Sequence, residues 1–382
     1  MSHSGKNVES VVSHGLCTGC GTCEGICPQS SIIMELDKEK AIYLPSIKAG
    51  GCTFCGMCVS VCPGKFVDFK DLNQKIFNQP SSDFLLGHYN NCYLSHACDR
   101  KVRYKSSSGG LVTSVILFAL REGLIDGALV TRMSKDNPII PEPFIARTEQ
   151  EVISACGSKY CPVPANKVIN EILKVEGKYA VVGLPCHIQG IRKAELINKK
   201  LKERIVLHLG IFCGTTKTFS ATNNYTNQLG IDEINISNIS YRGSGWPGKL
   251  SICVKNNDES YYEEQYLKYY SCEFCSYTPW RCTVCIDQAA EFADLSFADA
   301  WLDEVIGVDK CGSSIVVSRT KVAEDIIQKM QLKGVAVFSQ ITADKVNKSQ
   351  GFFPRKNYLE LENTCLWPFM GGIFHDIIMM NY

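Results

Sequence analysis

The chain has no long hydrophobic run. Its strongest, Leu111 to Leu120, falls well short of the roughly 20 residues that a membrane-crossing helix needs, so no membrane span is expected. Nor is charge of one sign in excess. Forty Lys and Arg stand against thirty-nine Asp and Glu in 382 residues, and a net charge of +1 lacks the footprint of a nucleic-acid binder. A small molecule or a redox protein is the expected partner. The N-terminus, MSHSGKNVES, has none of the charged start, apolar stretch and cleavage site of a secretory leader, which predicts a cytoplasmic protein. Also missing are a G-x-G-x-x-G turn, a G-x-x-x-x-G-K-[ST] loop, a Ser-His-Asp order and a zincin motif. A standard dinucleotide site, a P-loop and hydrolytic chemistry are therefore unsupported.

Cysteine, by contrast, is abundant, with twenty-one residues. In a reducing compartment, clustered cysteines serve as metal ligands more often than as disulfides. Two segments repeat C-x2-C-x2-C-x3-C-P: Cys17, Cys20, Cys23, Cys27 and Pro28, then Cys52, Cys55, Cys58, Cys62 and Pro63. Three cysteines on a tight loop grip three irons of a cubane, and the fourth, ahead of proline, ligates the other cluster. The spacing therefore assigns Cys17, Cys20, Cys23 and Cys62 to one 4Fe-4S cluster and Cys52, Cys55, Cys58 and Cys27 to a second. Structural zinc, which takes two separated pairs, does not fit this repeat. Gly19, Gly21 and Gly56 let backbone N–H groups approach the sulfurs. Between the loops, SIIMELDKEKAIYLP alternates as short strands do.

Residues 1–75 are thus expected to form a two-cluster ferredoxin domain, 76–98 a polar, turn-rich linker, 99–345 a larger domain and 346–382 a tail. In the larger domain LVTSVILFALREG predicts a helix stopped by Gly123, GALVTRM a strand, and YAVVGLPC and RIVLHLGIFCG buried strands ending in cysteine. Such alternation predicts a mixed α/β domain with ligands at strand ends. Ser106 to Gly110 precedes the helix, where serine hydroxyls and glycine N–H groups make either an N-cap or an anion site. Cys272, Cys275, Cys282 and Cys285 form two C-x2-C pairs, a spacing open to zinc or to a third iron-sulfur cluster. Cys186 and Cys213 are candidate ligands at strand ends, or buried small hydrophobes. His187 and His208 have no carboxylate or nucleophile visible beside them. The apolar stretch Trp367 to Tyr382 either docks a partner or packs on the core.

Several segments, in order, resemble the coenzyme F420 hydrogenase/dehydrogenase beta-subunit family: Ser107 to Thr113, Gly157 to Tyr160, Val181 to Arg192, Ile211 to Cys213, Cys282-x-x-Cys285-x-Asp287, and Phe292 to Trp301. The resemblance covers most of residues 92 to about 330, and members with a fused two-cluster ferredoxin domain look most like this chain. It implies an α+β fold, an N-terminal two-cluster ferredoxin-like domain followed by a larger mixed α/β flavin domain. It also implies FAD beside an iron-sulfur cluster, with coenzyme F420 or another hydride carrier delivering two electrons that leave singly to ferredoxin or a partner redox subunit. Carried over, Ser108, Gly109, Gly110 and Lys159 are candidate FAD contacts. Cys282, Cys285, Cys186 and Cys213 are the tentative ligands of a third cluster, with Cys272 and Cys275 as alternatives. Ala298 departs from the family's usual glycine. The implied function is an FAD- and iron-sulfur-dependent oxidoreductase; the alternatives are a non-catalytic electron-wiring subunit or a bacterial relative with a different substrate.

Overall fold

The computed structural model describes residues 7–255 and 260–351. The stretch Trp367 to Tyr382 lies outside them. In the N-terminal module, β1 (Ile32–Asp37) and β2 (Ile42–Ile47) pair as an antiparallel hairpin between the two cysteine loops. The larger domain is built on β3 (Asn91–Ala97), β4 (Gly127–Met133), β5 (Pro141–Ala146), β6 (Tyr179–Gly183) and β7 (Ile205–Ile211). A small antiparallel sheet of β8 (Ile236–Ser240), β9 (Lys249–Val254) and β10 (Ser260–Gln265) follows, and β11 (Leu295–Asp299), β12 (Ser314–Ser318) and β13 (Ala336–Ile341) return to the main sheet.

The eight-stranded main sheet runs in the order β13-β3-β12-β11-β7-β6-β4-β5. Its centre, β4, β6, β7 and β11, is parallel, and both flanks are antiparallel. Helices cover both faces, as a parallel centre requires. On one face the helix Leu111–Arg121, apolar on nearly every side, packs Val115 and Phe118 with Leu207, Leu295, Phe338, Ile326 and Met330. Gly123, at φ +65°, follows its end in the left-handed region that glycine adopts without strain. On the other face Ile169, Ile188 and Ile191 share a core with Ile26, Val61, Val67 and Leu72 of the N-terminal module.

That shared core corrects the expected linker. The helix Phe69–Phe77, capped by Asp68, which accepts from the Asp71 amide at 2.9 Å, buries Leu72 and sets Phe69 against Phe292 at 5.2 Å between ring centroids. β3 then lies inside the main sheet, between β12 and β13, so the connector ends by residue 90. Polar residues in Asn91–Ala97 disguised a strand whose partners lie more than two hundred residues away. At the other boundary, the helix Ala343–Gln350 crosses the expected start of the tail at 346. Among the described residues, no helix is long and apolar enough to cross a membrane.

Candidate functional site

In the first cysteine loop Gly19 and Gly21 have φ of +69° and +82°, and Gly56 in the second has +78°. These turns aim backbone amides at sulfur: Gly19 N–H donates to Cys17 Sγ and Phe54 N–H to Cys52 Sγ, each at 3.4 Å. Burial pushes the Cys17 thiol up to about 12, with Cys20 and Cys62 adding to the rise against the Gly19 bond. Burial likewise takes Cys62 to about 11 beside Cys20, and raises Cys23, which faces Cys20, Cys17, Cys62 and Cys58. The cross-loop grouping of Cys62 with Cys17, Cys20 and Cys23 is thus present in the fold. Cys58 is raised by burial and by Cys52 and Cys55. Cys27, partly desolvated, is nonetheless held low by hydrogen bonds from Ser31 and neighbouring amides. Crowded, buried thiols cannot all ionise without a counter-charge, and the irons of a cluster supply one. The donor set of Cys17, Cys20, Cys23 and Cys62 therefore fits a cluster, and in the second loop Cys58 lies beside Cys52 and Cys55.

Cys186 gathers the other cysteines. β6 ends where Pro185 opens the helix Pro185–Ile197, so Cys186 stands in that helix's first turn rather than on the strand. Burial raises its thiol well above the ordinary value, reinforced by Cys20, Cys213, Cys282 and Cys285. Cys213, Cys282 and Cys285, the other three candidate third-cluster ligands, therefore lie around Cys186, as does Cys20 of the N-terminal module. Cys272 and Cys275 are exposed. Among the described residues no three His, Cys, Asp or Glu close around a single metal ion; a cubane spreads its thiolates over four irons instead.

Beyond the C-terminal ends of β4, β6, β7 and β11 lies a cavity of about 430 Å³, within the range of small-molecule and cofactor sites. Such a position, outside the carboxyl ends of parallel strands, is where open α/β sheets place ligands. Its walls include Ser106, Ser107, Ser108, Gly110, Lys159, Cys213, Arg242, Tyr266 and Asp299. Ser107 Oγ accepts from Ser158 N–H at 2.8 Å, tying the serine loop to the Gly157–Tyr160 segment. No serine caps the helix. Its N-cap is Gly110 at φ +79°, while Ser108 Oγ donates to Ser313 O at 2.8 Å. Gly109 stands behind the wall: its N–H donates to Ser314 Oγ at 2.9 Å, and a Cβ there would meet Ser314 N at 2.7 Å.

Lys159 donates from Nζ to the carbonyls of Ala155 at 2.5 Å and Gly157 at 2.8 Å. Burial brings its ammonium down to about 8; Cys156 and Cys161 oppose that shift and Lys105 adds to it. A cavity-lining cation held by carbonyls and paired with no carboxylate among the described residues fits an anionic cofactor. Sequence patterns missed an aromatic wall of the same cavity. Tyr266 and Tyr270 stack at 5.1 Å, Tyr270 meets Tyr160 at 4.6 Å, and the Arg242 guanidinium lies 4.0 Å over Tyr266. Arg242 grips Asp299 with two bonds of 2.6 and 2.9 Å. Burial opposes its charge, but Asp299 more than compensates and holds it above its ordinary value. The dense run Tyr266-Leu-Lys-Tyr-Tyr270 was the available signal. Ala298 also lines the cavity.

The histidines separate. His187 accepts from Leu184 N–H at Nδ1, 3.1 Å, and its Nε2 lies 3.0 Å from Val163 O, so the neutral ring donates there. Burial lowers it to about 4. His208, expected to lack a carboxylate, has two: Asp294 at 2.9 Å and Glu195 at 2.7 Å.

Residues 92–170 match the N-terminal domain and 176–344 the C-terminal domain described as coenzyme F420 hydrogenase/dehydrogenase, beta subunit. The chain belongs to that family. Its fused module matches the 4Fe-4S dicluster domain over residues 16–67. Among curated members of the beta-subunit family, the coenzyme F420 hydrogenase subunit beta of Methanothermobacter thermautotrophicus is 27% identical over 284 residues, covering 70% of this chain and 94% of that one. The coenzyme F420-dependent sulfite reductase of Methanocaldococcus jannaschii is 25% identical over 345 residues, 85% of this chain and 48% of that protein. A chain of the F420-reducing [NiFe] hydrogenase complex from Methanosarcina barkeri shares the fold, with a TM-score of 0.56 at 22% identity over 73% of this chain and 94% of that one. The family match opens at Cys92, one residue into β3, in agreement with the shorter connector.

Proposed function

We propose that this family member is a cytoplasmic iron-sulfur flavoprotein oxidoreductase that passes electrons between a hydride carrier, coenzyme F420, and ferredoxin or a partner redox subunit. The observation that carries the reading is one adjacency: Cys213 lines the cavity, Cys186 neighbours Cys213, and Cys20 neighbours Cys186. A binding cavity and a line of cysteines thus adjoin. Bound FAD would supply the exchange between two-electron hydride chemistry and one-electron clusters. The protein's part is to bind and orient. Lys159 offers a cation to the anionic portion of the cofactor, Ser107 and Ser108 hold the loop that frames it, and the tyrosine wall presents an apolar, water-excluding face. Gly109 supports that loop from behind and Gly110 gives it its turn. Cys186, Cys213, Cys282 and Cys285 would hold a third cluster between the cavity and the two of the module, leaving Cys272 and Cys275 outside the set. The names of the relatives favour F420 as the carrier.

The test is anaerobic purification with iron, zinc and flavin analysis, followed by mixing with reduced F420, reduced ferredoxin or NADH. About twelve irons and about one FAD per chain, with flavin reduced by F420, are expected. About eight irons with zinc and no flavin would leave a wiring subunit in place of an enzyme.

A further inference from the structure

The helix Pro185–Ile197 belongs to the larger domain, yet it reaches the module's inner cysteines. Lys193, two turns beyond Cys186, donates from Nζ to the carbonyl of Cys62 at 2.9 Å and to that of Phe66 at 2.6 Å. The sulfurs of Cys62 and Cys20 lie close to its ammonium, as does Lys65. The helix is fixed in this position by close packing. A Cβ on Gly190 would meet Thr22 Oγ1 at 2.2 Å, and Asn166 bonds Thr22 Oγ1 and the His187 carbonyl, each at 2.8 Å.

We propose that Lys193 sets the reduction potential of the cluster held by Cys17, Cys20, Cys23 and Cys62, a cluster to which its own domain gives no ligand. Reduction adds one electron to a group already negative, with no bond made or broken. In a buried site that added charge is poorly solvated, which lowers the potential. A fixed cation beside the ligands favours the more negative, reduced form and raises it. The second set has less need of such help, because Cys55 is exposed and water solvates its charge. The cation arrives only with the docked larger domain, so the inner cluster accepts electrons readily when the two domains are joined as they are here.

The inference rests on the ligand assignment for the inner cluster. The experiment is an EPR-monitored redox titration of the full, cluster-loaded chain, unmodified and as Lys193→Gln and Lys193→Arg, with iron counted in each. Lys193→Gln keeps a donor for the two carbonyls and removes the charge. One cluster midpoint is expected to move to more negative potential while the others hold, and Lys193→Arg to return it close to the unmodified value. Unmoved midpoints at full iron in Lys193→Gln overturn the proposal, as does an arginine variant as low as the glutamine one. Loss of iron in Lys193→Gln also overturns it, making the lysine a structural pin for the 62–66 loop. Fewer than about eight irons in the unmodified protein would sink the ligand assignment instead.

Discussion

At the scale of single residues, two charges in the cavity wall do different things. Lys159 is a cation with no carboxylate partner among the described residues, held by two carbonyls, so its charge is available to a ligand. If the cavity holds FAD as proposed, Lys159→Gln should weaken flavin binding about tenfold, the roughly 1.4 kcal/mol that separates a charge-assisted from a neutral hydrogen bond. Fluorescence titration of deflavinated protein reads this, and Lys159→Arg should stay close to the unmodified affinity. Because the ammonium loses its proton around pH 8 in the empty site, the unmodified protein should show the same weakening as pH rises through that value. Arg242, by contrast, is already paired. Asp299→Asn would leave a buried guanidinium without its counter-ion, at a cost of about 3 kcal/mol. A lower thermal unfolding midpoint at matched iron content checks it.

At the scale of elements, the helix Pro185–Ile197 is the joint of the molecule. It carries Cys186 in its first turn, touches Thr22 at Gly190, and reaches Cys62 through Lys193. Gly190→Ala places a methyl where Thr22 already stands, and overpacking of this kind costs about 1–3 kcal/mol. The expected result is a lower unfolding midpoint and slower reduction of the module's clusters in stopped-flow mixing with reduced F420. Gly50→Ala is the contrast. No heavy atom lies within 4 Å of its would-be Cβ, so only the positive φ of +69° is strained, at about 1 kcal/mol, and cluster reduction should keep its rate.

For the whole molecule, pH stability turns on a buried network between β7 and the helix Pro185–Ile197. His208 bridges Asp294 and Glu195, and Arg192 pairs with both carboxylates at 3.3 Å. Burial and Arg192 oppose the imidazolium, but the two carboxylates outweigh them and raise the His208 pKa. A raised histidine contributes its stability fully below its unfolded value, about 6.5, and loses it as pH climbs through the higher folded value. Asp294 is shifted the other way: burial disfavours its charge, but Arg192 and His208 prevail and lower it. Its contribution is present above its unfolded value, about 3.9, and lost as pH falls towards the folded one. His208→Gln should therefore cost most near pH 6, about 3 kcal/mol, and progressively less in alkaline buffer, measured as the difference in unfolding midpoint across pH.

Local pattern alone determined the elements whose chemistry is contiguous in the chain. The cysteine repeat declared the dicluster module, GALVTRM is β4 from end to end, and Gly123 follows the helix it was expected to stop. Tertiary structure decided the rest, because the partners are far apart in sequence. His208 meets its carboxylates 13 and 86 residues away, Ser108 spends its hydroxyl on a carbonyl 205 residues on, and Arg242 reaches Asp299 across 57. β3 reads as connector until β12 and β13 close on it. The same holds for the joining of the two domains. Eight cysteines can be counted from their spacing, but that a larger domain packs its core against Ile26 and Val61 of their module and sets Lys193 beside Cys62 depends on which helix folding brings there.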